Sequence, residues 1–363
     1  MKVLIIHASA GAGHRRAAEA IYNYLKEHDP GLKLELLDAL SKTNALFKFD
    51  YTKGYSFLIK YARIVWRWAF WATGSLILRP VSRQLARLIN RLNSRELIRY
   101  LEQENPEVII STHFLPSELA AGLKKQGRIR SKIITIITDY GVHPFWISPA
   151  TDLYVVASDF TRQRLLLEGV PLELICVSGL PFDPKFMRHF DRRVLAHKFG
   201  IDHKAFTVLL MTGSFGLGPL EKIAYALHHD CQVLVVCAGN KTLYRRLVKK
   251  NLKQVKVFGF VSNTEELMAV SQVIVTKPGG STITEVLIME LPPVFINAIP
   301  GQETANIQAL AQYGIGVCPR NIQALKDYIL DLKDHPQKLE ALRQKMQAVQ
   351  KPLALKELER VIR

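Results

Sequence analysis

The sequence predicts two α/β domains in tandem, each a doubly wound parallel sheet. Three observations carry that expectation. Short β-branched runs alternate with stretches of helical periodicity. The alternation comes in two series, divided around Pro181–Pro184. Small-residue loops follow several of the runs, as expected at the carboxyl ends of parallel strands. The 363 residues allow two domains of roughly 150 residues each.

In the first series Val3–His7 reads as a strand and Ala8–Gly13 as a loop, and Arg15–Lys26 places Ala18, Ile21 and Leu25 on one helical face. Further strands are expected at Leu34–Leu37, Val108–Ser111, Ile133–Thr138 and Leu153–Ala157, which sets a first domain at 1–185. The second series has strands at Thr207–Met211, Val233–Cys237, Val255–Val257, Val273–Val275 and Pro293–Ile296, within a domain at 186–340. Residues 341–363 are expected to be helices that pack back toward the first domain. Ligands are expected in a cleft where the carboxyl ends of the two sheets face each other.

Hydrophobic residues make up 48% and charged residues 22%, which excludes a disordered chain. Lys plus Arg is 49 against 32 for Asp plus Glu, a surplus of 17 that favours phosphate-bearing partners. The four cysteines form no Cys-x-x-Cys pair, which argues against a zinc site or a disulfide framework and fits a reducing cytosol. The amino terminus reads as a first strand and not as a signal peptide.

More than half of the charge surplus is local. Residues 48–99 hold eleven Lys or Arg against Asp50 and Glu96. Trp66, Trp68, Phe70 and Trp71 precede Arg83, Arg87, Arg91, Arg95 and Arg99 at intervals of four, with Leu85, Leu88, Ile89 and Leu92 between them. This is the pattern of a basic amphipathic helix. The uncharged run Trp68–Leu78 is 11 residues, against about 20 for a bilayer span, so the segment is expected in the headgroup region of an anionic leaflet. An ordinary surface helix is the alternative. A nucleic-acid patch is disfavoured because the tryptophans lie outside any nucleic-acid module.

The loop Ser9–His14 joins the first strand and helix, and its glycines permit close approach of a polar ligand to free helix N–H groups. Arg16 stands where a dinucleotide fingerprint needs its third glycine. His14 at the helix start is expected to be a neutral, proton-accepting imidazole, or else a capping histidine. In the second domain Met211–Pro219 and Thr276–Thr282 each follow a strand, and two such loops suggest a diphosphate. Glu285 is suited to ribose hydroxyls, and Gln302, Glu303 and Asn306 to sugar hydroxyls. Taken singly, each loop is also compatible with a plain βα turn.

The run Ala8–His14 followed by Ala17–Ile21, then Thr138-Asp139 with His143 and Trp146, Gly259-Phe260-Val261, Thr276–Gly280, Glu285, and Ile299–Glu303 with Asn306 resembles one family in order and spacing. It is that of the monogalactosyldiacylglycerol synthases and bacterial processive diacylglycerol β-glucosyltransferases, in glycosyltransferase family 28 with the GT-B fold. The resemblance covers most of the chain. It implies an inverting transfer of a hexose from UDP-glucose or UDP-galactose to diacylglycerol or a glycosyldiacylglycerol, by a peripheral enzyme at the cytoplasmic membrane face. It gives His14 the role of base, with Asp139 as base or as partner of His14. Phe260 and Val261 would meet uracil and Glu285 the ribose. Gly213, Ser214, Gly279, Gly280, Ser281 and Thr282 would face the diphosphate, with Lys277 nearby. Gln302, Glu303 and Asn306 would bind the hexose or order its loop. Gly13, His143 and Trp146 fall on the acceptor side, and Trp66, Trp68, Trp71, Arg83, Arg87 and Arg91 on the membrane side. No cofactor, no bound metal and no nucleic acid are implied. Leu291-Pro292-Pro293 and Asn297-Ala298 depart from the family near the sugar-reading loop and leave the hexose open. Another family 28-like UDP-sugar transferase, a nucleotide-sugar epimerase and a non-catalytic, membrane-associated UDP-sugar sensor are the rival readings.

Overall fold

A computed structural model describes residues 1–54, 68, 71–73, 75, 79–213, 216, 218–296, 298–299 and 301–363. The chain forms two compact units. The first comprises Met1–Asp183, Ile299–Asn306 and Leu353–Arg363, and the second Pro184–Ala298 with Ile307–Pro352. Two boundaries differ from the sequence expectation. The helix Pro336–Val349 stays with the second unit, whereas the segment Ile299–Asn306 belongs to the first.

The first unit is built on β1 (Lys2–His7), β2 (Lys33–Asp38), β3 (Val108–Ser111), β4 (Lys132–Ile136), β5 (Leu153–Val155) and β6 (Ile175–Cys176). Every pairing is parallel and the order is β2-β1-β3-β4-β5-β6. Leu4, Ile6, Ile109 and Ile133 anchor one face against Leu97, Leu101, Leu119 and Leu123, and Val3, Ile5 and Ile110 at the alternate positions are buried as well, so both faces of the central strands are covered. The closing helix Ala354–Ile362 joins this unit through Lys132 Nζ, which donates to the Val361 carbonyl at 2.6 Å, and through Arg363 against Asp29 at 3.2 Å.

The second unit carries β7 (Thr207–Met211), β8 (Gln232–Val236), β9 (Val255–Phe258), β10 (Val273–Thr276) and β11 (Pro293–Phe295), ordered β11-β10-β7-β8-β9 and again parallel. Val208, Leu210, Val233, Val235, Val273 and Val275 pack against Leu220, Ile223, Leu227, Leu325 and Ile329.

The basic segment departs from one continuous helix. It forms the helices Arg79–Asn93 and Arg95–Glu104, broken at the buried Ser94. The Asn93 carbonyl accepts the Asn44 backbone N–H at 3.0 Å and so leaves the helical ladder. The facing of the first helix is also the reverse of a helix that buries its apolar stripe. Arg83 donates to the Ile147 carbonyl, and Arg83 and Arg87 line a small cavity with Glu118, Phe145 and Ile147. Asn90 is buried beside Glu118, while Val81, Leu85, Leu88, Ile89 and Leu92 are exposed. Thus Arg83 and Arg87 turn inward and of the three expected arginines only Arg91 is exposed. Trp68 and Trp71 are exposed and meet edge-on with centroids 5.8 Å apart; Trp66 lies outside the described residues.

Candidate functional site

Each sheet reverses its strand order at one point, and ligand sites of open α/β sheets form where the carboxyl ends of strands diverge. In the first sheet that point lies between β1 and β3, paired Ile6 to Ser111. The helix Ala12–His28 starts from Gly11, which supplies no side-chain cap, and no acidic residue occupies its first turn. The first N–H groups, with Gly13 among them, therefore have no acceptor within the helix.

His14 is held by the neighbouring strand end. Its Nδ1 lies 2.7 Å from the Thr112 carbonyl oxygen and 2.8 Å from the Thr138 hydroxyl, while the Thr112 hydroxyl donates back to the His14 carbonyl at 2.9 Å. A carbonyl can only accept, so the proton sits on Nδ1 and the lone pair on Nε2. His113 stands edge-on to His14 with ring centroids 4.7 Å apart, and Trp146 is at 6.1 Å. Burial among these rings pushes the His14 imidazole down to about 4, against a smaller upward pull from the Thr112 carbonyl. His113 is buried and held well below the ordinary imidazole range by burial first, then by His14 and His7. Its Nδ1 accepts the Leu115 N–H at 3.1 Å, so its own proton is on Nε2.

Asp139 has other partners than the expected His14. Its Oδ2 accepts the Gln302 amide at 2.7 Å and its Oδ1 the Asn306 amide at 3.1 Å. The Asn306 carbonyl oxygen in turn accepts the N–H groups of Tyr140 at 2.8 Å and Gly141 at 3.1 Å. Burial raises the Asp139 carboxyl, and the two amides oppose that shift. His14 is thus oriented by Thr112 and Thr138, and Asn306, expected to read a hexose or order its loop, clasps the Asp139–Gly141 turn. The approach is close: a side chain at Gly141 would put its Cβ within 2.4 Å of the Ala305 Cβ. Glu303 orders its own loop, accepting the Ile299 N–H at 2.6 Å and donating its N–H to the Ile299 carbonyl at 3.1 Å. His143 caps the turn Pro144–Trp146 through the Phe145 N–H at 3.3 Å and reaches Thr73 through Nε2 at 3.2 Å, while Trp146 is buried beside His14.

In the second sheet the reversal lies between β7 and β10, paired Met211 to Thr276. It brings together the two loops expected to meet a diphosphate. Gly213 and Gly216 both take left-handed backbone, φ 74° and 54°, and a Cβ on Gly216 would lie 2.2 Å from the Cys237 carbonyl oxygen. Ser214 lies outside the described residues. After β10, Lys277 is half-buried and Gly279 precedes the helix Gly280–Ile288, with no side-chain cap and no acidic residue in the first turn. The N–H groups of Gly280, Ser281 and Thr282 are therefore available to an anion. Glu285 is buried in that helix, Val261 is half-buried and Phe260 is 78% exposed. Among the described residues no group of three His, Cys, Asp or Glu could hold a metal ion.

Thr112 and His113 were not foreseen. The only available signal was a Ser-Thr-His run at a strand end, and the parallel pairing of β1 with β3 is what brings it to His14.

The monogalactosyldiacylglycerol (MGDG) synthase family matches residues 14–182, and the glycosyltransferase family 28 C-terminal domain matches residues 208–358. A processive diacylglycerol beta-glucosyltransferase of Staphylococcus epidermidis is 29% identical over 355 residues, covering 95% of this chain and 88% of that protein. A probable chloroplastic monogalactosyldiacylglycerol synthase of Nicotiana tabacum is 32% identical over 331 residues, covering 87% and 61%. Among solved structures, Acinetobacter baumannii MurG superposes with a TM-score of 0.64 at 15% identity, covering 99% of each chain. The UDP-GlcNAc 2-epimerase of Neisseria meningitidis gives 0.63 at 13%, covering 100% and 99%. With two parallel-sheet α/β units of the GT-B type and both matches in sequence order, the chain belongs to the family of monogalactosyldiacylglycerol synthases and processive diacylglycerol glucosyltransferases.

Proposed function

We propose that the protein transfers a hexose from a UDP-sugar to the hydroxyl of diacylglycerol, or of a glycosyldiacylglycerol, with inversion at the anomeric carbon. The observation that carries the chemistry is the tautomer of His14, whose Nδ1–H is spent on Thr112 and Thr138 while Nε2 keeps its lone pair. Nε2 takes the proton of the acceptor hydroxyl as that oxygen bonds to the anomeric carbon, and UDP leaves from the opposite face. An α-linked donor thereby yields a β-linked glycolipid. An imidazole near 4 is neutral at pH 7, so the whole population is ready to accept.

The leaving diphosphate is assigned to the N–H groups of Gly280, Ser281 and Thr282 and the turn at Gly213 and Ser214, with Lys277 nearby. Uracil is assigned to Phe260 and Val261, ribose to Glu285, and the hexose to Gln302. The reaction as proposed includes no tightly bound metal.

The acceptor is a membrane lipid, and the protein is assigned to the cytoplasmic membrane surface as a peripheral enzyme. Among the described residues no helix is long and apolar enough to cross a membrane. The exposed row Val81, Leu85, Leu88, Ile89 and Leu92, with Trp68 and Trp71, supports shallow burial at headgroup depth.

The test offers diacylglycerol liposomes and a panel of UDP-sugars, UDP-glucose and UDP-galactose included, and reads product mass and linkage. A β-hexosyl-diacylglycerol is expected. Isomerised UDP-sugar in the absence of acceptor would identify an epimerase, and UDP-sugar binding without turnover a sensor.

A further inference from the structure

The first unit exposes an apolar row on its helix Arg79–Asn93, and the second unit exposes a basic face of its own. Residues 241–256 contain seven Lys or Arg and no Asp or Glu. Most lie on the helix Lys241–Lys250, where Leu243 and Leu247 are buried. Arg246 and Lys250 turn to Glu221 of the preceding helix, each at 3.5 Å, and Lys250 Nζ lies 5.8 Å over the Tyr225 ring. Lys241, Arg245 and Lys249 remain, at four-residue steps on the outward crest, and among the described residues none of them has an ion-pair partner. Beside them Tyr225 is 62% exposed and Val248 50%, with Tyr244 also exposed.

Helix stability accounts for Lys249, in the last turn where the dipole favours a cation, but not for Lys241 and Arg245, because like charges four residues apart oppose the helix. Lys256 has a simpler explanation, since it lies on the edge strand β9, where a lysine discourages pairing with another chain. The crest requires another cause. We propose that Lys241, Arg245 and Lys249, flanked by Tyr225, Tyr244 and Val248, form a second contact with an anionic phospholipid surface, carried by the nucleotide-binding unit. The inference rests on the membrane reading above. Tyrosines are at home at headgroup depth and an exposed valine gains by shallow insertion, whereas Val248 adds no affinity for the phosphates of a nucleic acid.

The test uses the full chain carrying Lys241→Glu, Arg245→Glu and Lys249→Glu, with the Gln counterparts as a milder set. Binding is read by co-sedimentation with phosphatidylcholine vesicles containing about 30% phosphatidylglycerol, where each lost cation should weaken partition about fivefold. The Gln set should bind these vesicles about 100-fold more weakly and the Glu set more weakly still, with little change on pure phosphatidylcholine. UDP affinity by calorimetry and turnover of a monomeric short-chain diacylglycerol should be unchanged, which also reports correct folding. Equal co-sedimentation of variant and wild type, with UDP binding intact, overturns the proposal. So does tighter binding of the wild type to an RNA or DNA oligonucleotide than to the anionic vesicles at equal salt. Failure of the wild type to glycosylate any diacylglycerol would instead strike the parent reading.

Discussion

In the proposed reaction the first unit contributes side chains at its strand ends, and the second contributes backbone. His14 is useful because a carbonyl and a hydroxyl settle which nitrogen keeps the lone pair. Gly213, Gly216 and Gly279 carry no side chain, which leaves their backbone open to close approach by a ligand in the proposed reaction. A proton must be handled by one group of tuned affinity, whereas a spread dianionic charge is better met by several fixed dipoles. Both arrangements occupy the same place in their sheets, the point where strand order reverses.

The sharpest way to separate the two regions is His14→Ala. Turnover should fall by about 10² to 10⁴ while UDP binding by calorimetry stays near wild type. A variant that kept a tenth of the rate would remove His14 as base. Asn306→Leu should destabilise the protein by about 2–4 kcal/mol in a denaturant titration, because Tyr140 and Gly141 lose their buried acceptor. Gly216→Ala acts on the other side of the comparison. Left-handed backbone and the Cys237 carbonyl oppose its Cβ, so UDP affinity and stability should both drop, the latter by about 1–3 kcal/mol.

The pH response discriminates further. The folded His14 lies near 4 against 6.5 for the free side chain, so between those values the unfolded chain takes up a proton that the native chain refuses. Its contribution to stability is present above 6.5 and is lost as pH falls toward 4. The acid limb of kcat/KM should likewise sit near 4, and a limb near 6.5 would contradict the buried, neutral ring. The smallest effect is Arg91→Glu, about fivefold on anionic vesicles. Leu85→Asp with Leu88→Asp should release the protein from neutral vesicles and weaken its hold on anionic ones.

Much of this was legible beforehand, for identifiable reasons. Runs such as Val108–Ser111 and Thr207–Met211 are buried on both faces and read as continuous apolar strands. The two-residue β6, Ile175–Cys176, has too little pattern to see. The break at Ser94 was hidden because arginines continue every four residues across it, and only the distant Asn44 draws the Asn93 carbonyl away. The inward turn of Arg83 depends on the Ile147 carbonyl and that of Arg87 on the Glu118 cavity, both brought there by tertiary structure. The glycine loops announced themselves by composition. His113 did not, since a buried histidine next to a phenylalanine looks like any other core aromatic until the sheet is assembled.

The clasp between Asn306 and the Asp139–Gly141 turn limits how this molecule can be recombined. A hybrid spliced once near residue 184, with everything downstream taken from a relative, would inherit foreign residues at 299–306 and 353–363 inside its amino-terminal unit. Chimeras meant to exchange the second unit should therefore transplant 184–298 and 307–352 and retain the native clasp and tail, or they will report misfolding as altered function.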